Sequence, residues 1–171
     1  GKGHLLGHVK NLSGDDFETT THRGYHTSSE LPWHADSCDV VGLLCLETAK
    51  SGGESYIVSS AAIHNEMIAR RPDLAAELAK PWYRDRRGEI PPGMQPFMTI
   101  PPLNWHAGAL TVFYQRQYID SAQRFPDALR LTPDHVAALD RFDAAADDPD
   151  LHLRMRLEPG DMQFVYNHSQ L

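Results

Sequence analysis

The chain has 171 residues, 41% of them hydrophobic and 23% charged, which suits one domain with a real core and an ordinary soluble composition. Lys and Arg number 16 against 23 Asp and Glu, a net charge of -7 with the basic residues scattered, which excludes a nucleic-acid face. No apolar run approaches a membrane span and no signal peptide is visible, and two cysteines, Cys38 and Cys45, make no disulfide framework, so no membrane partner and a reducing cytoplasm are expected.

Residues 1–31 are rich in Gly, Ser, Thr and His and read as loop with short extended pieces. Residues 39–49, "DVVGLLCLETA", are apolar and partly β-branched, the texture of a buried strand. "KSGGES" predicts a turn at 50–55, and "YIVSS" a second short strand. Residues 59–78 predict a helix capped by Ser59 or Ser60 and broken in two at Pro72. The Pro- and Gly-rich residues 81–105 predict short strands between turns, and residues 109–119, "ALTVFYQRQYI", a good strand. Residues 131–149 are the clearest helix: Thr132 caps it, Pro133 takes the first helical position, and Val136, Leu139 and Phe142 follow at three-residue intervals. Residues 151–171 predict strand, turn at Pro159-Gly160, strand, with Leu151, Leu153, Met155 and Leu157 alternating with polar residues. Strands interrupted by helices predict a mainly β fold with inserted helices. The opening "GKGHLLGH" lacks an initiator Met and the last residues, "FVYNHSQL", stop inside an alternating run. Residues 1–171 are therefore expected to be a single partial domain, truncated at both ends.

The chemistry concentrates in "PWHADSCD", residues 32–39. In extended chain, side chains two apart share a face roughly 6.5–7 Å along, so His34 and Asp36 project together as neighbouring ligands for one cation. A third ligand from another strand would complete a two-His-one-carboxylate face, leaving three positions at Fe(II) open for cosubstrate and dioxygen. Two other readings stand beside it. Asp36 can simply cap a turn, and zinc can take His34, Asp36 and the cysteines. The zinc site is weakened because Cys45 falls on the opposite face from Cys38 and no Cys-x-x-Cys spacing exists. Cysteines in such settings are more often small core hydrophobes.

The longer stretch "WHADSCDVVGLLCLETAKSGGES" resembles the taurine dioxygenase-like family of Fe(II)- and 2-oxoglutarate-dependent oxygenases. There a Trp-His-x-Asp segment leads into an apolar strand and then a Gly-Gly-acid-Ser/Thr turn, here Gly52-Gly53-Glu54-Ser55. "RRPDL", "TVFYQRQYI", "DDPDL" and "EPGDMQFVYNHSQL" extend the resemblance from about Thr19 to Leu171. It implies a double-stranded β-helix, or jelly roll, incomplete at its C-terminus. It implies His34 and Asp36 as iron ligands and Ser55 as the hydroxyl that bonds a 2-oxoglutarate carboxylate. It implies a dioxygenase that oxidises, usually hydroxylates, a small organic substrate with O2, releasing succinate and CO2. The third iron ligand and the 2-oxoglutarate arginine are expected beyond Leu171, so residues 1–171 alone are expected to be inactive. A homo-oligomer is compatible with the resemblance.

Further residues carry weaker signals. His168 shares a strand face with Met162, Phe164 and Tyr166 and is expected to support the site without binding iron. Tyr114 and Arg116 share a face of the predicted 109–119 strand, so both are substrate candidates, Arg116 as a bidentate donor to an anion. His22, Tyr25, His26 and Trp33 precede the triplet and are candidates for a substrate entrance. Arg84, Arg86 and Arg87 with Asp85 and Glu89 read most simply as a solvated loop. Two rival functions use the same residues: a metal-dependent hydrolase with an activated water, and a jelly-roll binding module without turnover.

Overall fold

The computed structural model describes residues 6–10 and 30–171, so His22, Tyr25 and His26 lie outside the described residues. The elements in chain order are β1 (Val40–Leu44), β2 (Ser55–Val58), α1 (Ser60–Arg70), α2 (Pro72–Leu78), β3 (Trp82–Asp85) and β4 (Phe97–Ile100). There follow β5 (Leu103–His106), β6 (Ala109–Val112), α3 (Arg116–Ala122), α4 (Pro133–Ala146), β7 (His152–Met155) and β8 (Met162–Tyr166). The fold is mixed. Strands outnumber helices, but each strand has only four or five residues, and the helices supply most of the core. The mainly β expectation is corrected to that extent. Among the described residues no helix is long and apolar enough to cross a membrane.

The strands form four antiparallel ribbons: β1 with β8, β2 with β7, β3 with β4, and β5 with β6. β7 and β8 flank the turn at Pro159-Gly160, where Gly160 adopts φ +99°, yet they pair with different partners. Past β8 the chain bends and reaches β2, where Val58 and Leu171 exchange both backbone hydrogen bonds at 3.0 Å. Ser55 Oγ donates to Gln163 Oε1 at 2.9 Å, which ties β2 to β8 itself.

α1, α2 and α4 begin where the sequence says. Ser59 caps α1, its hydroxyl accepting from the Ala62 amide, and Ile63 and Met67 turn inward one helical turn apart. Arg71 leaves helical geometry because Pro72 crowds the residue before it, and Pro72 then starts α2. Thr132 and His135 form a reciprocal capping box at the start of α4. Leu139, Phe142 and Ala146 are buried, while Val136 is substantially exposed, so the inward stripe starts one turn later than expected. α1, α2 and α4 pack against one another, and α1 rests on β6.

Four local expectations are corrected. The strand beginning at residue 109 stops at Val112, and Arg116 opens α3, whose Ile119 and Ala122 are buried at helical spacing. β1 forms where expected but is not buried. Its register places Val40 opposite Tyr166, Gly42 opposite Phe164 and Leu44 opposite Met162, and that apolar face lies in solvent, Phe164 being 70% exposed. Residues 84–89 are not uniformly a solvated loop, since Arg84 and Asp85 belong to β3 and are buried. Cys38 is exposed and Cys45 half-buried, so neither is a core hydrophobe.

Candidate metal centre

The triplet His34-Ala35-Asp36 lies beside the chain that leaves β6. His34 pairs with Gln115 as an isolated antiparallel bridge, and the Ala35 amide donates to the Tyr114 carbonyl at 2.8 Å. Ala35 is fully buried, while His34 and Asp36 project to the other side. The alternation of an extended chain thus brings the two together, with His34 Nε2 4.0 Å from Asp36 Oδ1. His34 Nδ1 lies 2.8 Å from the Pro32 carbonyl oxygen. With the proton on Nδ1 that bond fixes the ring and leaves the Nε2 lone pair facing Asp36, an arrangement common in histidines that bind metals.

Each neighbour of the triplet is anchored. Trp33 Nε1 donates to Asp147 Oδ1 at 2.6 Å, and its ring packs on Tyr56 and His152. Trp33 therefore serves here as a bolt to α4 and to the β2–β7 ribbon. Behind Ala35, Tyr114 is fully buried, stacks on Phe142 at 4.2 Å between centroids, and donates its hydroxyl to Asp143 Oδ1 at 2.5 Å. Burial raises the Tyr114 phenol well above its usual range, with the Asp143 charge adding to it. Burial also raises the Asp143 carboxyl, against the pull of the Tyr114 hydrogen bond and of Arg116. Arg116 donates Nη1 to Asp143 at 3.0 Å and also pairs with Asp140 and Asp120. Tyr114 and Arg116 thus converge on Asp143 through a helix start, and the strand face expected to unite them is absent.

Asn167 completes the frame. It is buried, and its Oδ1 accepts from the Asp36 amide at 2.9 Å. Its Nδ2 donates to the carbonyls of Asp36 and, at 2.9 Å, Cys38. One carboxamide thereby fixes the backbone that carries the Asp36 carboxylate. Sequence reasoning missed it. The signal was a polar, hydrogen-bonding side chain inside the otherwise apolar run before His168. His168 Nε2 lies 2.8 Å from Asp39 Oδ1 and is engaged there. The Cys38 thiol is raised by its slight burial and then by the Asp36 and Asp39 charges.

The donor set fits an Fe(II) edge of one imidazole and one carboxylate. Among the described residues no third His, Cys, Asp or Glu joins the pair. Ser55 sits at the start of β2 after Gly52 and Gly53, both at positive φ, with its hydroxyl on Gln163.

A model of the taurine catabolism dioxygenase TauD, TfdA family matches residues 3–171. FR-33289 synthase of Streptomyces rubellomurinus is 35% identical over 171 residues, covering 96% of this chain and 49% of the relative. The uridine-5'-phosphate dioxygenase of an Amycolatopsis species is 31% identical over 168 residues, covering 90% of this chain and 57% of the relative. The chain thus spans about half the length of the curated relatives it matches. The solved structure of asparagine oxygenase with Fe(II), 2S,3S-3-hydroxyasparagine and succinate superposes with a TM-score of 0.63. At 18% identity, over 86% of this chain and 44% of that one, the likeness is one of fold.

Proposed function

The chain belongs to the TauD/TfdA dioxygenase family, and on that footing we propose that the protein is an Fe(II)- and 2-oxoglutarate-dependent dioxygenase. It oxidises a small organic substrate with O2 and releases succinate and CO2, the substrate most often gaining a hydroxyl group. Its fold is the jelly roll of that family, and its two free cysteines suit a reducing cytoplasm.

The observation that carries the reading is the His34–Asp36 pair on one side of an extended segment, with Ala35 packed inward behind it. His34 Nε2 and an Asp36 oxygen would hold the iron, with the third ligand supplied from outside the described residues. Bound iron would supply activation of dioxygen and oxidative decarboxylation of the cosubstrate. The work of this chain is geometric. Pro32 holds the His34 ring, Asn167 holds the Asp36 backbone, and Trp33 and Tyr114 fix both to α4. Ser55, after its double-glycine turn, would turn its hydroxyl from Gln163 to donate to one 2-oxoglutarate carboxylate. The relative named for uridine 5'-phosphate supports a small polar metabolite as substrate.

The test is 2-oxoglutarate-dependent succinate release by the full-length protein and its Asp36→Ala variant. Loss of one ligand should abolish succinate while circular dichroism and melting stay near wild type. A folded Asp36→Ala variant with near-normal turnover would remove Asp36 from the iron. Metal-dependent product formation without 2-oxoglutarate would indicate a hydrolase instead.

A further inference from the structure

Arg84 lies in β3, opposite Met98 of β4, and is only 3% exposed. Its guanidinium stacks 3.9 Å over the Phe113 ring and lies 5.0 Å from the Tyr118 centroid. Nη2 donates to Gln115 Oε1 at 3.3 Å. Nε and Nη1 are buried and, among the described residues, have no hydrogen-bond partner. The neighbouring carboxylate does not serve it. Asp85 takes the Ser121 hydroxyl, the Arg124 guanidinium and the Arg87 amide. Arg84 is thus a buried cation whose neutral hydrogen-bond partner, Gln115, is the residue that bridges His34. It is close enough to the metal pair to feel the Asp36 charge.

A buried charge without a counter-ion is costly and is seldom kept for packing alone. Free N–H donors on a planar guanidinium match the oxygens of a carboxylate or phosphate, and flanking rings that fix its plane pre-set the direction of approach. We propose that Arg84 is the anchor for an oxyanion group of the substrate, held beside His34 and Asp36 by the Arg84–Gln115 link. This rests on the oxygenase reading and adds that the substrate is an anion, a carboxylate or a phosphate ester. With its anion on Arg84, the substrate presents its remaining carbons toward the metal pair.

The test compares full-length wild type with Arg84→Met, which keeps length and apolar contact, and Arg84→Lys, which keeps charge without the fork. Inorganic phosphate and acetate are the probes, read by thermal melting and by titration calorimetry. Phosphate also stabilises proteins non-specifically, so the difference between variants is the readout. Wild type should bind at least one probe at least tenfold more tightly than Arg84→Met, with Arg84→Lys between them. Preference for phosphate or acetate identifies the anion. Without probe, Arg84→Met should melt no lower than wild type, because a buried unpaired charge has gone. If Arg84→Met fails to fold, the Arg84→Lys comparison decides alone. Equal binding by wild type and variants, or no binding of either probe to wild type, overturns the proposal. So does an Arg84→Met or Arg84→Lys protein that loses 2-oxoglutarate affinity instead, since Arg84 would then clamp the cosubstrate. Absence of 2-oxoglutarate-dependent succinate from wild type would overturn the oxygenase reading separately, leaving the probe result to stand as an anion site of another kind.

Discussion

Asn167 does for Asp36 what no neighbour in sequence can do. It lies 131 residues away and still ties the Asp36 amide and carbonyl together with the Cys38 carbonyl. Asn167→Ala should remove these hydrogen bonds, at a cost of about 0.5–1.5 kcal/mol for each one lost. Urea denaturation should show that loss, and Fe(II) titration should show weaker binding because the carboxylate is no longer pre-set. Stability lost with Fe(II) affinity intact would make Asn167 a fold residue only. Ser55 is held differently, by one hydrogen bond from its hydroxyl to Gln163. Ser55→Ala should raise the 2-oxoglutarate requirement by the worth of one bond to a charged acceptor, roughly 1.5–3 kcal/mol, with Fe(II) affinity unchanged. Unaltered 2-oxoglutarate affinity in calorimetry would restrict Ser55 to bracing β2 against β8.

α4 is the element that turns a short extended segment into a rigid platform. Asp143 within α4 and Asp147 at its C-cap accept hydrogen bonds from Tyr114 and Trp33, the residues packed against the His34–Asp36 triplet. Beside Asp143, Phe142 is fully buried against the Tyr114 ring. Phe142→Ala should therefore cost about 3–5 kcal/mol in folding stability, measured by chemical denaturation. Because Tyr114 would lose its stacking partner, the same variant should weaken Fe(II) binding although it touches no ligand. An unchanged Fe(II) affinity in a folded Phe142→Ala protein would uncouple α4 from the triplet. α3 teaches a different lesson. Phe113 and Tyr114 extend the β6 strand texture, but Arg116 and Asp120 pair one helical turn apart while Ile119 and Ala122 bury. A run of aromatic and apolar residues looked like one strand, and a helix start was concealed inside it.

Across the whole molecule, order should follow the distribution of burial. α1, α2 and α4 enclose most of the buried side chains, whereas the β1–β8 ribbon turns one apolar face to solvent. Two-stranded ribbons with an exposed face open easily, so hydrogen exchange should be slowest in α1 and α4 and markedly faster in β1 and β8. Equal protection in the ribbon would mean that its exposed face is covered in solution. Near neighbours in the chain are enough for the local features. Ser59, Pro72, Thr132 and Pro133 set helix ends through local sterics and capping, and residue spacing alone put His34 and Asp36 on one side. Features that need partners distant in the chain come from packing. Packing brought Asn167 to Asp36, Asp143 to Tyr114 and Gln115 to Arg84, buried the guanidinium that a charged run had disguised as loop, and left β1 exposed despite its apolar composition. Local patterns fix torsions and faces, but burial and hydrogen-bond satisfaction are settled by which segments meet, and no short-range period carries that information.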